Sequence, residues 1–102
     1  MRTVLDKLTV AEKLLLVGYN LEEQGDSPFS LERLIVDAWK KFPQAFGLQE
    51  YMDEHPDSNK VIAALAGRRG PLHKQRWFTK IGMKLYALTE KGRSAAKTLQ
   101  QV

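Results

Sequence analysis

The apolar residues of this chain change period at Pro71. Before it they recur at helical spacing in three stretches. After it come two short runs rich in aromatic and branched residues, and then helical spacing returns. With 102 residues, 43% of them hydrophobic, the chain holds enough for one core and too little for two. Three helices, a hairpin and a closing helix must therefore share that core. The expectation is a mostly helical α+β domain over residues 1–102, its core spanning about 9–100.

The first helix opens at Thr9-Val10-Ala11-Glu12, a capping box whose hydroxyl and carboxylate satisfy donors that a first turn leaves unpaired. Ala11, Leu14, Leu15, Gly18 and Leu21 give it one apolar face, and Gly25 is its end signal. The second helix has Ser30 as N-cap, Phe29 and Leu34 as a hydrophobic staple, and a stripe of Leu31, Leu34, Ile35, Ala38, Trp39 and Phe42 that Pro43 should stop. From Gln44 to Pro56 the pattern fits a short helix or an ordered loop equally well. A third helix begins at Asp57 or Ser58 and runs to about Ala66, with Gly67 as terminator and Val61, Ile62 and Leu65 facing inward. That leaves Ser58, Asn59, Lys60 and Ala63 on its outer side.

Leu72 to Thr79 and Lys84 to Leu88 read as strands joined at Lys80-Ile81-Gly82-Met83, with Tyr86 and Leu88 pointing inward. Thr89 then caps a terminal helix whose apolar residues are Ala95, Ala96, Leu99 and Val102.

Charge is divided as unevenly as structure. Residues 58–102 carry ten Lys/Arg and one acid, Glu90, whereas residues 1–57 carry six Lys/Arg and eleven acids. A segment of net charge +9 that includes Trp77, Phe78 and Tyr86 suits a phosphate-contacting surface, because Lys and Arg displace the counterions condensed on a polyanion.

Several function classes drop out. The absence of cysteine excludes disulfides, thiolate zinc sites and cysteine nucleophiles. His55 and His73 fall in separate elements with no serine–histidine–acid order around them, and Gly67-Arg68-Arg69-Gly70 lacks the lysine and hydroxyl of a phosphate loop. Asp53, Glu54, His55 and Asp57 lack the alternating donors and turn glycine of a calcium loop. No enzyme, metal or cofactor is expected. No apolar run approaches the ~18 residues of a membrane span, and Met1 to Asp6 lacks the apolar stretch and cleavage site of a signal peptide, so a cytoplasmic protein is expected.

The order helix, helix, helix, hairpin, helix resembles the winged helix-turn-helix superfamily. Tyr86-Ala87-Leu88-Thr89-Glu90-Lys91-Gly92-Arg93 in particular resembles the junction between wing and final helix in many bacterial regulators. The resemblance implies a three-helix core, a two-stranded wing and double-stranded DNA as partner, with a role in prokaryotic transcription regulation. It places Ser58, Asn59, Lys60 and Ala63 at the bases, and Arg68, Arg69, Lys74, Arg76, Lys80 and Lys84 at phosphates. It also implies a homodimer, formed through either Met1 to Leu8, with Val4 and Leu5, or the terminal helix, with Leu99 and Val102. The chain departs from the family in one respect: fourteen residues separate Phe42 from Asp57, where a helix-turn-helix has about three or four.

Two other readings use different residues. A protein-interaction adaptor would present Phe46, Tyr51, Met52 and the acids of the 42–57 insertion. A single-strand binder would stack bases on Trp77 and Phe78 beside Arg76.

Overall fold

The structure, a computed structural model, describes residues 7–100. In chain order its elements are α1 (Val10–Glu23), β1 (Phe29–Ser30), α2 (Leu31–Lys41), α3 (Pro43–Phe46), α4 (Ser58–Ala66), β2 (Phe78–Gly82), β3 (Leu85–Leu88) and α5 (Glu90–Gln100). Among the described residues these make an α+β fold with an antiparallel sheet ordered β1-β3-β2.

The capping box at Thr9 forms in both directions, Glu12 N donating to Thr9 Oγ1 at 3.1 Å and Thr9 N to Glu12 Oε1 at 2.9 Å. The helix ends where Gly25 takes a positive φ of 86°. Between those caps α1 is more enclosed than a one-sided stripe requires, since Leu16, Val17 and Tyr19 are buried along with Leu14, Leu15, Gly18 and Leu21. It packs against α2, α4, α5 and β3, so neighbours surround it on most sides.

β1 is absent from the sequence expectation, which gives Phe29 and Ser30 to the entry of α2. Both roles hold: Ser30 Oγ accepts from Arg33 N at 3.0 Å, while Phe29 and Ser30 pair with Tyr86 and Leu85 of β3. Phe29 then meets Phe78 edge-on, with ring centroids 6.2 Å apart. The expected two-stranded hairpin thus becomes a three-stranded sheet whose extra strand is anchored by an aromatic pair.

The first hairpin strand starts later than expected. Leu72 to Gln75 form turns instead, with His73 N and Lys74 N both bonded to the Gly70 carbonyl and Trp77 N to that of Pro71. Arg76 has a φ of +57°, and this left-handed residue redirects the chain into β2. The hairpin tip consequently moves to Met83-Lys84.

The 42–57 insertion is ordered and built into the core. Pro43 ends α2 and occupies the first turn of α3, where its missing N–H costs nothing. Phe46 is fully buried, its carbonyl accepts from Asp57 N at 2.7 Å, and Gly47 bridges to Pro56. Trp39, only half-buried, donates its indole N–H to the Met52 carbonyl at 2.6 Å. The insertion is a loop clamped at both ends to α2 and α4.

The junction from Tyr86 to Arg93 is explained residue by residue. Tyr86 and Leu88 are buried, and Thr89 Oγ1 accepts from Gly92 N at 3.0 Å. The same hydroxyl donates to the Arg76 carbonyl at 2.7 Å, and Thr89 N donates to the Trp77 carbonyl at 2.9 Å. Arg93 closes the set on Glu22 of α1, Nε to Oε1 at 2.8 Å, and its Nη2 donates to the Leu88 carbonyl at 3.2 Å. Glu22 also accepts from Leu88 N at 3.3 Å. The motif that carries the family resemblance is therefore a lock between α1, the sheet and α5.

Candidate nucleic-acid interface

Asp57 caps α4, its Oδ1 accepting from Asn59 N at 3.0 Å and Lys60 N at 3.3 Å. That leaves the Asn59 carboxamide exposed and without a hydrogen-bond partner among the described residues, so Asn59 is not the local cap. Ser58 and Ala63 are exposed beside it. Lys60 is differently employed, for its ammonium donates to the Gly47 carbonyl at 2.9 Å and ties α4 to the insertion.

Ile62 corrects the inward assignment. Val61, Ala64 and Leu65 line one side of the helix, and at about 100° per residue Ile62 falls beyond their stripe, where it is 41% exposed. The outer face of α4 is accordingly Asn59, Ile62, Ala63 and Ala66: one amide among apolar groups able to meet thymine methyls. A helical wheel anchored on Leu65 rather than Ile62 recovers this face from sequence.

Arg68 and Arg69 project from a turn between Gly67 and Gly70, just past the end of α4, where the helix dipole favours cations. Gly70 lies against the carbonyls of Ala64 and Leu65, where a Cβ has no room. Lys74 stands exposed on the next turn. Arg76 and Lys80 then line an open cleft of about 540 Å³ together with His73, Thr79 and Thr89. Lys84 occupies the hairpin turn with a φ of +54°.

Local absence of acids sets these residues apart from the first half of the chain, since Ser58 to Thr89 holds no Asp or Glu. Among the described residues the ion pairs are Arg33 with Asp26, Arg33 with Asp37, and Arg93 with Glu22. Arg68, Arg69, Lys74, Arg76, Lys80 and Lys84 are all exposed and none belongs to a pair. Their charges are not neutralised within the fold.

The chain matches no family model, no curated protein and no solved structure.

Other candidate sites are altered by the fold. Phe78 is buried and Trp77 packs against the core, so they form no open stacking platform beside Arg76. Phe46 is buried and Met52 half-buried on the insertion, leaving Tyr51 and Leu48 as its exposed apolar residues. Among the described residues no three His, Cys, Asp or Glu side chains gather as a metal site, and no helix is long and apolar enough to cross a membrane. Leu99 packs against the core, whereas Met1 to Asp6 and Val102, part of the two candidate dimer surfaces, lie outside the described residues.

Arg76 and Lys84 are the non-glycine residues described with positive φ. A left-handed L-residue costs about 1–2 kcal/mol, which glycine avoids at about 0.4–1 kcal/mol of extra unfolded-chain entropy. Arg76→Gly and Lys84→Gly are each expected to leave stability unchanged or raise it by up to about 1 kcal/mol, read as the urea midpoint. A loss above about 1 kcal/mol in either would give that side chain a packing role.

Proposed function

We propose that the protein is a winged helix-turn-helix domain that binds duplex DNA, with the outer face of α4 in the major groove and the loop and hairpin that follow it on phosphates. The observation that carries this reading is the set of six unpaired cations, Arg68, Arg69, Lys74, Arg76, Lys80 and Lys84, on the segment directly after α4. A surface of uncompensated charge lowers self-repulsion by meeting a polyanion, and counterion release then supplies affinity. Asn59 adds a free amide, the group that pairs with the adenine edge in two hydrogen bonds. The same assignment makes the chain a binding protein rather than an enzyme, with transcription regulation as the role of such a domain and a homodimer as the form that reads two half-sites.

The long insertion fits this reading as a brace. Its acids Glu50, Asp53 and Glu54 are exposed, but Asp57 is spent on the cap of α4 and Phe46 on the core. Of its three apolar residues Phe46, Tyr51 and Met52, the adaptor reading retains Tyr51 at 54% exposure, with Leu48 at 39% beside it.

Because Arg76→Gly and Lys84→Gly are expected to remove charge without loss of stability, they form the test once their urea midpoints at least match the wild type. Salt titrations of binding to random-sequence duplex should give a slope of several units for the wild type, and the double variant should lose about two units, at about 0.9 per phosphate contact. No duplex binding at low salt would sink the reading and leave Tyr51 and Leu48 as the surface to examine. On a selected site, Asn59→Ala should relax preference at a single base pair by about 1–3 kcal/mol and leave nonspecific affinity intact. A uniform loss over all sequences would make Asn59 a backbone contact.

A further inference from the structure

The hairpin tip combines charge with exposed apolar side chains, and its backbone is built to do so. Across β2 and β3 the pairs are Phe78 with Leu88, Thr79 with Ala87, Lys80 with Tyr86, and then Gly82 with Leu85. The register slips by one residue, so Ile81 is a bulge without a partner and stands 56% exposed. Met83 follows at 90% exposure, and Lys84 turns the chain in a left-handed conformation that hairpins ordinarily give to glycine or asparagine. Two large apolar side chains therefore project between Lys80 and Lys84, neither of which has an acidic partner.

We infer that this tip is a wedge for the minor groove of duplex DNA, with Met83 inserted at one base step, Ile81 against the sugar edge, and Lys80 and Lys84 on phosphates of the two strands. The inference rests on the duplex-binding reading above and adds to it a deformation of the DNA. Charge complementarity selects the occupant: the lysines require a polyanion, and the side chains between them require an apolar surface at the same place. A duplex offers both, since base faces become accessible when a step unstacks between two rows of phosphate. A minor groove about 6 Å wide admits a tip of this kind and not the whole ribbon. Methionine, long and unbranched, enters a gap that opens during binding with little steric demand. Pyrimidine–purine steps unstack most readily, so the wedge should favour TA or CA/TG at its position.

The test uses the full chain and a duplex of about 25 base pairs, end-labelled for energy transfer and carrying 2-aminopurine at a TA step. Wild type should bind with the steep salt dependence expected of phosphate contacts, bring the duplex ends closer and brighten the 2-aminopurine. Met83→Ala, at an exposed position that leaves folding intact by circular dichroism, should keep the salt slope but lose the bend, the brightening and about tenfold in affinity on the TA duplex. Met83→Leu should restore most of all three. Tight, salt-dependent binding with a straight duplex, or a Met83→Ala protein that bends DNA as wild type does, would overturn the wedge and leave the duplex reading standing. Failure to bind any duplex would overturn both, and co-sedimentation with phosphatidylserine vesicles in that case would reassign the tip to a membrane surface.

Discussion

Phe46→Ala is expected to lower the unfolding free energy by about 3–5 kcal/mol, the cost of emptying a large aromatic site in a packed core. Phe46 lies in the segment between α2 and α4, where a surface loop would tolerate the change. Instead it is fully buried, meets Phe42 edge-on at 6.4 Å between centroids, and offers its carbonyl to Asp57 N at 2.7 Å. Loss of the ring therefore acts twice, first by leaving a cavity between α2 and α4 and then by loosening the residue that caps α4. For a domain of this size the melting temperature should fall by roughly 12 °C or more. Tyr51→Ala, on an exposed residue of the same insertion, should stay within about 0.5 kcal/mol. Urea unfolding of the two variants decides the matter: equal, small losses would mean that the insertion hangs off the core and α4 is positioned without it. At temperatures where Phe46→Ala remains folded, its duplex binding should keep the wild-type salt slope, because no phosphate contact is removed.

What the sequence disclosed and what it hid follow from how local each signal is. Thr9 with Glu12, Ser30, Asp57 and Thr89 all act on backbone within three residues, and each caps the helix that its spacing announces. The stripe of α2 was equally legible, because one side of that helix faces solvent. α1 was only half legible, since a helix with neighbours on most sides loses the polar face that makes periodicity visible. β1 could not be read at all: two residues have no period, and their strand character comes from the partners Tyr86 and Leu85, more than fifty positions away. Ile62 misled for the opposite reason, as β-branched apolar residues read as core wherever they stand, and only the wheel of a nine-residue helix separates it from Val61. In the candidate interface the cations themselves were legible from composition, but their lack of acidic partners was not. That depends on where every acid of the chain folds, and among the described residues the three in ion pairs, Glu22, Asp26 and Asp37, are engaged by Arg93 or Arg33.

Gly92→Ala carries the second large effect, and its sign has to be argued. Gly92 sits in the first turn of α5, where alanine would improve helix propensity by about 0.8–1.0 kcal/mol. Against that gain, a Cβ there would fall on the carbonyl of Trp77, a backbone group that already accepts from Thr89 N at 2.9 Å and shares the single Thr89 hydroxyl proton, at 3.2 Å, with the nearer Arg76 carbonyl. Relief requires α5 to move away from the strand, which strains packing by about 1–3 kcal/mol and weakens two hydrogen bonds at about 0.5–1.5 kcal/mol each. The clash wins, and a net loss of about 2–3 kcal/mol is expected. Gly18→Ala provides the contrast, because its Cβ would meet side-chain atoms rather than backbone, Phe78 Cε2 at 2.9 Å and Leu88 Cδ2 at 3.2 Å, and the helix propensity gained mid-helix offsets much of the crowding. That variant should lose no more than about 1 kcal/mol. The same junction links stability to the interface, since Thr89 Oγ1 also holds the Arg76 carbonyl at 2.7 Å and with it the left-handed backbone that aims Arg76 along the cleft. Gly92→Ala, assayed below its melting temperature, should therefore also lose close to one unit of salt slope in duplex binding. Retention of the full slope beside the full loss of stability would show that Arg76 either reaches phosphate without the lock or never reaches it.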